Sequence, residues 1–166
     1  MITFDHTIAE LNRYGDIIRQ LYRDKNLNAG YDPDAELQNI TFDVENEGGN
    51  FSIVFHLPEY WRWAENGRAP GKMPPEGVLL KWMEFNQILP HQMQLSNGRT
   101  VIPSMKSLEF LIRRKIGRDG TEGKHTWEMT ENEVRNTLIQ DIKKALQADF
   151  TAYVENMRNT DTKNRK

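Results

Sequence analysis

Residues 40–57, with the sequence ITFDVENEGGNFSIVFHL, contain the pattern that decides the fold. This pattern predicts an antiparallel strand pair with one buried face and a tight turn at the two glycines. An isolated hairpin is only marginally stable in water, so that face must pack against helices or further strands. Apolar residues alternate with polar ones on both sides of the turn, at Ile40, Phe42, Val44, Phe51, Ile53, Phe55 and Leu57.

Helical segments are predicted on both sides of this hairpin. The spacing from Thr7 to Glu10 matches a capping box, and so does the spacing from Thr130 to Glu133. The last helix is the most regular, because its apolar residues recur at spacings of three and four along one stripe. The five predicted helices are residues 7–25, 58–66, 76–87, 104–116 and 131–157, and the stripe of the last one is Val134, Leu138, Ile142, Leu146, Phe150, Tyr153 and Met157.

Together these elements predict an α+β fold. A small antiparallel sheet, built on the central hairpin, is flanked by an N-terminal helix, two shorter middle helices and a long C-terminal helix. Residues 1–157 are expected to form a single structural domain, and residues 158–166 a polar flexible tail. Irregular structure is predicted for residues 67–75, 90–102 and 117–124, where glycine, proline and polar residues accumulate, with a turn at residues 96–98. The polar residues 32–36 are predicted to form a connecting loop.

Composition excludes several classes of function. The chain of 166 residues has no cysteine, which rules out disulfides, zinc–thiolate sites and cysteine nucleophiles. Its four histidines are widely separated, without the spacing of a metal site. No stretch reaches the ~20 apolar residues of a membrane helix, and the first residues lack signal-peptide features, so synthesis in the cytoplasm is expected. No catalytic residue, metal or cofactor is predicted.

Charge is distributed unevenly along the chain. The net charge of −2 is the balance of −7 in residues 1–60, +6 in residues 61–118 and −1 in residues 119–166. A subunit with this asymmetry can pair its acidic part with the basic part of a neighbour, which fixes the register of an assembly. The alternative is that these charges are scattered over a solvated surface.

Residues 60–75, YWRWAENGRAPGKMPP, join aromatic side chains to a loop stiffened by proline. Stiffness lowers the entropy lost on binding, and Trp and Tyr are frequent anchors between subunits. We expect a projecting loop that contacts a neighbour, with Tyr60 and Trp82 in the core; a loop that wraps its own sheet is the alternative. The predicted interface residues are Tyr60, Trp61, Trp63, Arg68, Pro70, Lys72 and Pro74.

The consecutive bases Arg113, Arg114 and Lys115 lie beside the apolar stripe of the fourth predicted helix. If copies of the chain line a channel, these charges face passing DNA and contact its phosphates without sequence specificity. The alternative is that the three charges only solvate the outer face of the helix.

Residues 60–75 resemble a pattern found in neck and tail-component proteins of tailed bacteriophages, including the ring proteins of crAss-like phages. In that pattern an aromatic segment and E-x-G-R precede P-G-K-x-P-P and a helix with a Trp, here Trp82. Residues 110–116, FLIRRKI, and the following Gly120 and Thr121 are similar to a second block of the family. The resemblance covers about residues 58–123. It implies a small antiparallel sheet flanked by helices and a homo-oligomeric ring between portal and tail, without catalytic residues or cofactor.

Three hypotheses follow from the sequence. The first is a virion structural protein that forms a ring in the head-to-tail (neck or connector) or upper tail region, with adjacent portal, neck or tail rings and packaged DNA as partners. The second is a DNA-binding accessory protein without sequence specificity that uses the basic residues 61–118. The third is a small hydrolase whose catalytic residues come together only in the fold.

Overall fold

The computed structural model of the chain describes residues 2–31, 38–58 and 61–163, with side chains through residue 160. The predicted α+β class is confirmed, with long first and last helices and a two-stranded hairpin. The predicted connecting loop at residues 32–36 lies outside the described residues. Within them the elements are α1 (Asp5–Asn28), β1 (Thr41–Glu47), β2 (Asn50–His56), α2 (Trp61–Asn66), β3 (Gly67–Arg68), α3 (Leu80–Phe85), β4 (Met93–Gln94), β5 (Thr100–Val101), α4 (Met105–Asp119), β6 (Thr121–Glu122) and α5 (Thr126–Lys163).

The chain divides into two compact units. Unit 1 comprises Met1–Lys25, Asn39–Pro58 and Thr126–Lys166, and unit 2 comprises Asn26–Gln38 and Glu59–His125. The single domain predicted for residues 1–157 stays a prediction. The helix α5 continues to Lys163, so helical structure extends six residues past the end predicted at residue 157.

In unit 1, the strands β1 and β2 form the predicted hairpin. They pair antiparallel, with Phe42 opposite Phe55 and Val44 opposite Ile53, which places the alternating apolar residues on one face. The turn residues Gly48 and Gly49 both have positive φ, 61° and 91°. Two consecutive positive φ angles match the right-handed twist of the strands, and glycine adopts them without steric cost.

The helices α1 and α5 run antiparallel in unit 1. Lys25 near the end of α1 bonds Glu133 at 2.6 Å, and Tyr14 donates its hydroxyl hydrogen to Asp141 at 2.9 Å. The pKa of Asp141 is lowered by the hydrogen bond from Lys144 and then by the one from Tyr14. These contacts lie at successive positions along both helices, so they fix which residues of α1 and α5 face each other.

The core of unit 1 lies between the hairpin and the two helices. Tyr14, Ile18 and Val134 are buried together, with Phe55 and Trp127 packed against them. The rings of Phe55 and Trp127 meet edge to face at 5.1 Å between centroids. The amphipathic faces predicted for the hairpin and the first helix therefore share one core.

The hairpin contacts α1 at Gly15 through the ring of Phe42. A Cβ atom at this position would lie 2.2 Å from the ring of Phe42, so any other residue would force that ring to move. This glycine within a helix reflects packing against the sheet.

Both predicted capping boxes are wrong. The helix α1 begins before Thr7, and the Thr7 hydroxyl donates to the carboxylate of Asp149 on α5 at 2.6 Å. The helix α5 begins at Thr126, so Thr130 lies inside it and donates its hydroxyl hydrogen to the carbonyl of Thr126 at 2.7 Å. In both cases the helix starts earlier than the motif indicates.

The first turn of α1 is held by the buried carboxylate of Asp149. It accepts the amide hydrogens of His6 and Thr7, each at 2.9 Å, in addition to the Thr7 hydroxyl. Burial opposes the charged form and by itself raises the pKa of Asp149, but the hydrogen bonds from Thr7 and His6 outweigh it and lower the pKa. A carboxylate on another helix thus accepts the amide hydrogens that an N-cap side chain usually accepts.

Unit 2 is built around Met83 of α3 and Leu108 of α4, which are both buried. Ser104 accepts the amide hydrogen of Ser107 and caps α4, as expected from the predicted start of that helix. All three segments predicted to be irregular contain short strands, including β3 within residues 67–75. Within residues 90–102, β4 pairs with β5 around the predicted turn at residues 96–98, and within residues 117–124, β6 pairs with β3.

Candidate subunit interface

The proline-containing loop of residues 67–77 lies along α4 in unit 2. Gly71 donates its amide hydrogen to the Gly117 carbonyl at 2.8 Å, and Arg113 donates to the Pro74 carbonyl at 2.8 Å. At the far end, the amide of Gly77 donates to the buried carboxylate of Glu109 at 2.6 Å. Residues 109, 113 and 117 are four apart and therefore share one face of α4. The prediction that this loop projects from the fold is wrong, because the loop is hydrogen-bonded to α4 of its own unit. Its predicted contact with a neighbour stays a prediction.

The short pair β3–β6 joins this loop to the end of α4. Gly120 has a φ of 78°, and a Cβ atom there would lie 2.2 Å from the carbonyl oxygen of Arg68. Gly67 on the facing strand has a φ of 76°, and a Cβ atom there would lie 2.2 Å from the carbonyl oxygen of Thr121. The two strands approach at a distance that only glycine permits.

The predicted interface residues fall into different environments. Arg68 is half-buried and donates to the carbonyl of Lys72 within the loop. Pro74 is buried within unit 2, so its side chain does not face a neighbour in this conformation. Tyr60 lies outside the described residues. The remaining four are accessible in unit 2, with Trp63 60% exposed, Trp61 half-buried, and Pro70 and Lys72 exposed.

Trp82 does not occupy the core, contrary to the expectation from sequence. It is 37% exposed, whereas Met83 beside it is fully buried. Because α3 has only six residues, it can bury one narrow side, and that side carries Met83. Trp63 and Trp82 are therefore both accessible indole rings of unit 2.

The predicted DNA-facing bases differ in role. Arg113 is half-buried, and its guanidinium group bonds the carbonyl of Pro74. Arg114 and Lys115 are exposed on the following positions of α4. Of the three predicted residues, only these last two present their charge to solvent, and Arg113 stabilises the loop.

We expect Arg113→Ala to lower the free energy of unfolding by about 1–2 kcal/mol, because it removes the charged donor that bonds the carbonyl of the buried Pro74. Arg114→Ala, on the same turn of α4, should change it by less than about 0.5 kcal/mol. Urea denaturation of both variants measures the difference. Equal losses would contradict the assigned role of Arg113.

Residues 85–105 of unit 2 expose apolar side chains in a stretch with almost no charge. Arg99 is its only charged residue, although 28% of the whole chain is charged. Depletion of charge combined with accessible apolar side chains is typical of the centre of a protein–protein interface. The exposed apolar residues here are Phe85, Leu89, Leu95, Val101 and Ile102, of which Leu89 and Ile102 reach 68% and 71% exposure.

In unit 1, α5 carries a second accessible apolar surface. The predicted single stripe of this helix is partly wrong, since Val134 is buried but Phe150 and Met157 are exposed. With a rotation of about 100° per residue, the outward residues share one face that is distinct from the face of Val134 and Asp149. This outward apolar stripe of α5 consists of Ile139, Phe150, Val154 and Met157. Sequence periodicity did not separate it from the inward face.

Within the described residues, no group of three or more His, Asp or Glu side chains is placed to hold a metal ion. No helix in this part of the chain is long and apolar enough to cross a membrane. Comparisons with protein-family models, curated proteins and solved structures found no match. The accessible apolar surfaces of the two units are therefore the candidate binding surfaces of the described residues.

Proposed function

We propose that this chain is a virion structural protein that forms an oligomeric ring in the head-to-tail (neck) or upper tail region of a tailed bacteriophage. One observation carries the self-association: each unit exposes its own apolar surface, residues 85–105 in unit 2 and the outward stripe of α5 in unit 1. Such surfaces mark interaction sites in soluble proteins. The virion location is supported by the resemblance of residues 58–123 to ring proteins.

Two unlike surfaces on one chain favour a head-to-tail contact. An interface between different patches repeats from copy to copy and closes into a ring when the rotation between copies permits.

Particle composition tests this proposal. The chain should be detected by mass spectrometry in particles purified from the phage whose genome encodes it, and antibody labelling should mark the neck or upper tail. A non-structural protein from the same lysate serves as the control for contamination. Absence of the chain from washed particles would contradict the proposal.

A DNA-binding accessory function is the alternative, and one observation favours it: Arg114 and Lys115 are adjacent and exposed on α4. It predicts binding to duplex DNA that weakens steeply with salt and that is lost in Arg114→Ala/Lys115→Ala. Arg113 is left intact in this test because it stabilises the loop. If the intact chain binds DNA but is absent from purified virions, the alternative is favoured over the ring.

A further inference from the structure

Unit 2 contains an open apolar groove between α3, the segment that follows it, and the start of α4. Its volume is about 560 Å³, and it is lined by Leu80, Glu84, Gln87, Leu89 and Met105. Leu89 is largely exposed, so the apolar wall of the groove is accessible from solvent. Glu84 is the only charged residue in this lining, and its carboxylate forms no ion pair with any described residue. The groove therefore offers an occupant apolar contacts and one negative charge.

The hairpin β4–β5 of the same unit carries an apolar face with one positive charge. Met93 lies opposite Val101 in the strand pair, and the amide of Leu95 donates to the carbonyl of Arg99 at 2.8 Å. Because side chains alternate along a strand, these four residues share one face, here called the hairpin face. Leu95 and Val101 are 43% and 39% exposed, and Arg99 is exposed as well. The hairpin face is therefore open to a partner.

The charges of the groove and the hairpin face are opposite. Arg99 is the only charged residue in residues 85–105, and its guanidinium group, like the carboxylate of Glu84, has no ion-pair partner among the described residues. Opposite charges that meet across an interface attract the partners on approach and fix their register. An apolar face with one cation is thus complementary to an apolar groove with one carboxylate.

The groove is not occupied by the hairpin of its own chain. In the described part of unit 2, none of residues 93–101 lines the groove. The groove and the hairpin face are therefore accessible at the same time, and every further copy of the chain brings the surface that complements each of them. A second copy of this chain is the occupant that these charges favour.

We propose that the hairpin face of one copy binds the groove of unit 2 in the next copy, with Arg99 beside Glu84. This inference rests on the proposed function, because it names the contact by which the ring would form. The hairpin face and the groove are different surfaces, so the contact is head-to-tail and can repeat around a ring.

Charge reversal tests the contact. Glu84→Arg makes the groove as positive as the hairpin face, and Arg99→Glu makes the hairpin face as negative as the groove. Both side chains are exposed and have no ion-pair partner among the described residues, so the fold should persist. Each variant should weaken self-association at least about tenfold, because repulsion replaces attraction. Light scattering coupled to size exclusion, over a range of concentrations, should show both variants shifted toward the 19.4 kDa monomer.

The double variant Glu84→Arg/Arg99→Glu separates this contact from a general loss of stability. It restores opposite charges with their positions exchanged, so it should recover the wild-type mass. An equimolar mixture of the two single variants should also associate, because each groove then meets a hairpin face of opposite charge. Arg114→Glu and Glu122→Arg, exposed elsewhere in unit 2, make the same changes of charge and are the matched controls that should keep the wild-type mass.

If both single variants keep the wild-type mass, this contact is overturned while the ring stays in place. Loss of association without recovery in the double variant would also overturn it, because the effect would not depend on pairing Glu84 with Arg99. Loss in Glu84→Arg alone would mean that something other than the hairpin face occupies the groove, which would overturn the contact. A wild-type chain that is monomeric at every concentration would overturn both the contact and the ring.

Discussion

Gly120→Ala should lower the free energy of unfolding by about 3–5 kcal/mol, whereas Gly98→Ala should lower it by only about 1–2 kcal/mol. Both glycines have a φ of 78°, but Gly120 also has a ψ of −164°, a backbone conformation that is essentially restricted to glycine. They differ in their surroundings. A Cβ at Gly120 would lie 2.2 Å from the Arg68 carbonyl oxygen, and one at Gly98 would have no atom within 4 Å.

The larger loss at Gly120 reports both its backbone conformation and the close approach of β3 and β6, which attaches the loop of residues 67–77 to α4. Urea denaturation monitored by tryptophan fluorescence measures both losses, with Trp63 and Trp82 reporting on unit 2. If Gly98→Ala and Gly120→Ala lower the free energy of unfolding equally, β3 and β6 move apart without loss of stability. That result would contradict the attachment of the loop to α4.

Asp149→Asn is expected to cost about 2–3 kcal/mol at pH 7, because three donors on His6 and Thr7 lose a buried, charged acceptor. Asp141→Asn provides the control. Asp141 also accepts a hydrogen bond from α1, through Tyr14, but its side chain is more accessible, so its replacement should lower the free energy of unfolding clearly less than Asp149→Asn does.

The loss at Asp149 should also depend on pH. Its pKa is lowered in the folded state, so the carboxylate stabilises the fold above the unfolded-state value of about 3.9. That stabilisation disappears as the pH falls through the lower folded-state pKa. The gap in stability between the wild type and Asp149→Asn should therefore shrink below pH ~4. A gap that is constant from pH 7 to pH 3 would contradict the role of the charge.

Local pattern was sufficient to predict the hairpin. The period of two in residues 40–57 and the glycines at the turn depend only on neighbouring residues, and both appear in the structure. Helix starts were predicted less well. Thr7 and Thr130 stand at capping spacing, yet their hydroxyls bond Asp149 and Thr126 instead, and the first of these contacts joins residues 142 positions apart.

The loop of residues 67–77 shows why the candidate site was harder to predict. Its composition indicated stiffness, but its direction depends on bonds to α4 from Pro74 and Gly77, which span 39 and 32 residues. The two-residue strands β3 and β6 are too short to show any periodicity. Likewise, apolar residues of α5 at helical spacing could not be divided between an inward and an outward face until the partners of the helix were known.

The mass of the intact chain in solution tests self-association most directly. Sedimentation velocity over a hundredfold range of concentration should show a closed species that is an integral multiple of 19.4 kDa, with no open-ended growth at the highest concentration. A single 19.4 kDa species throughout that range would contradict the account.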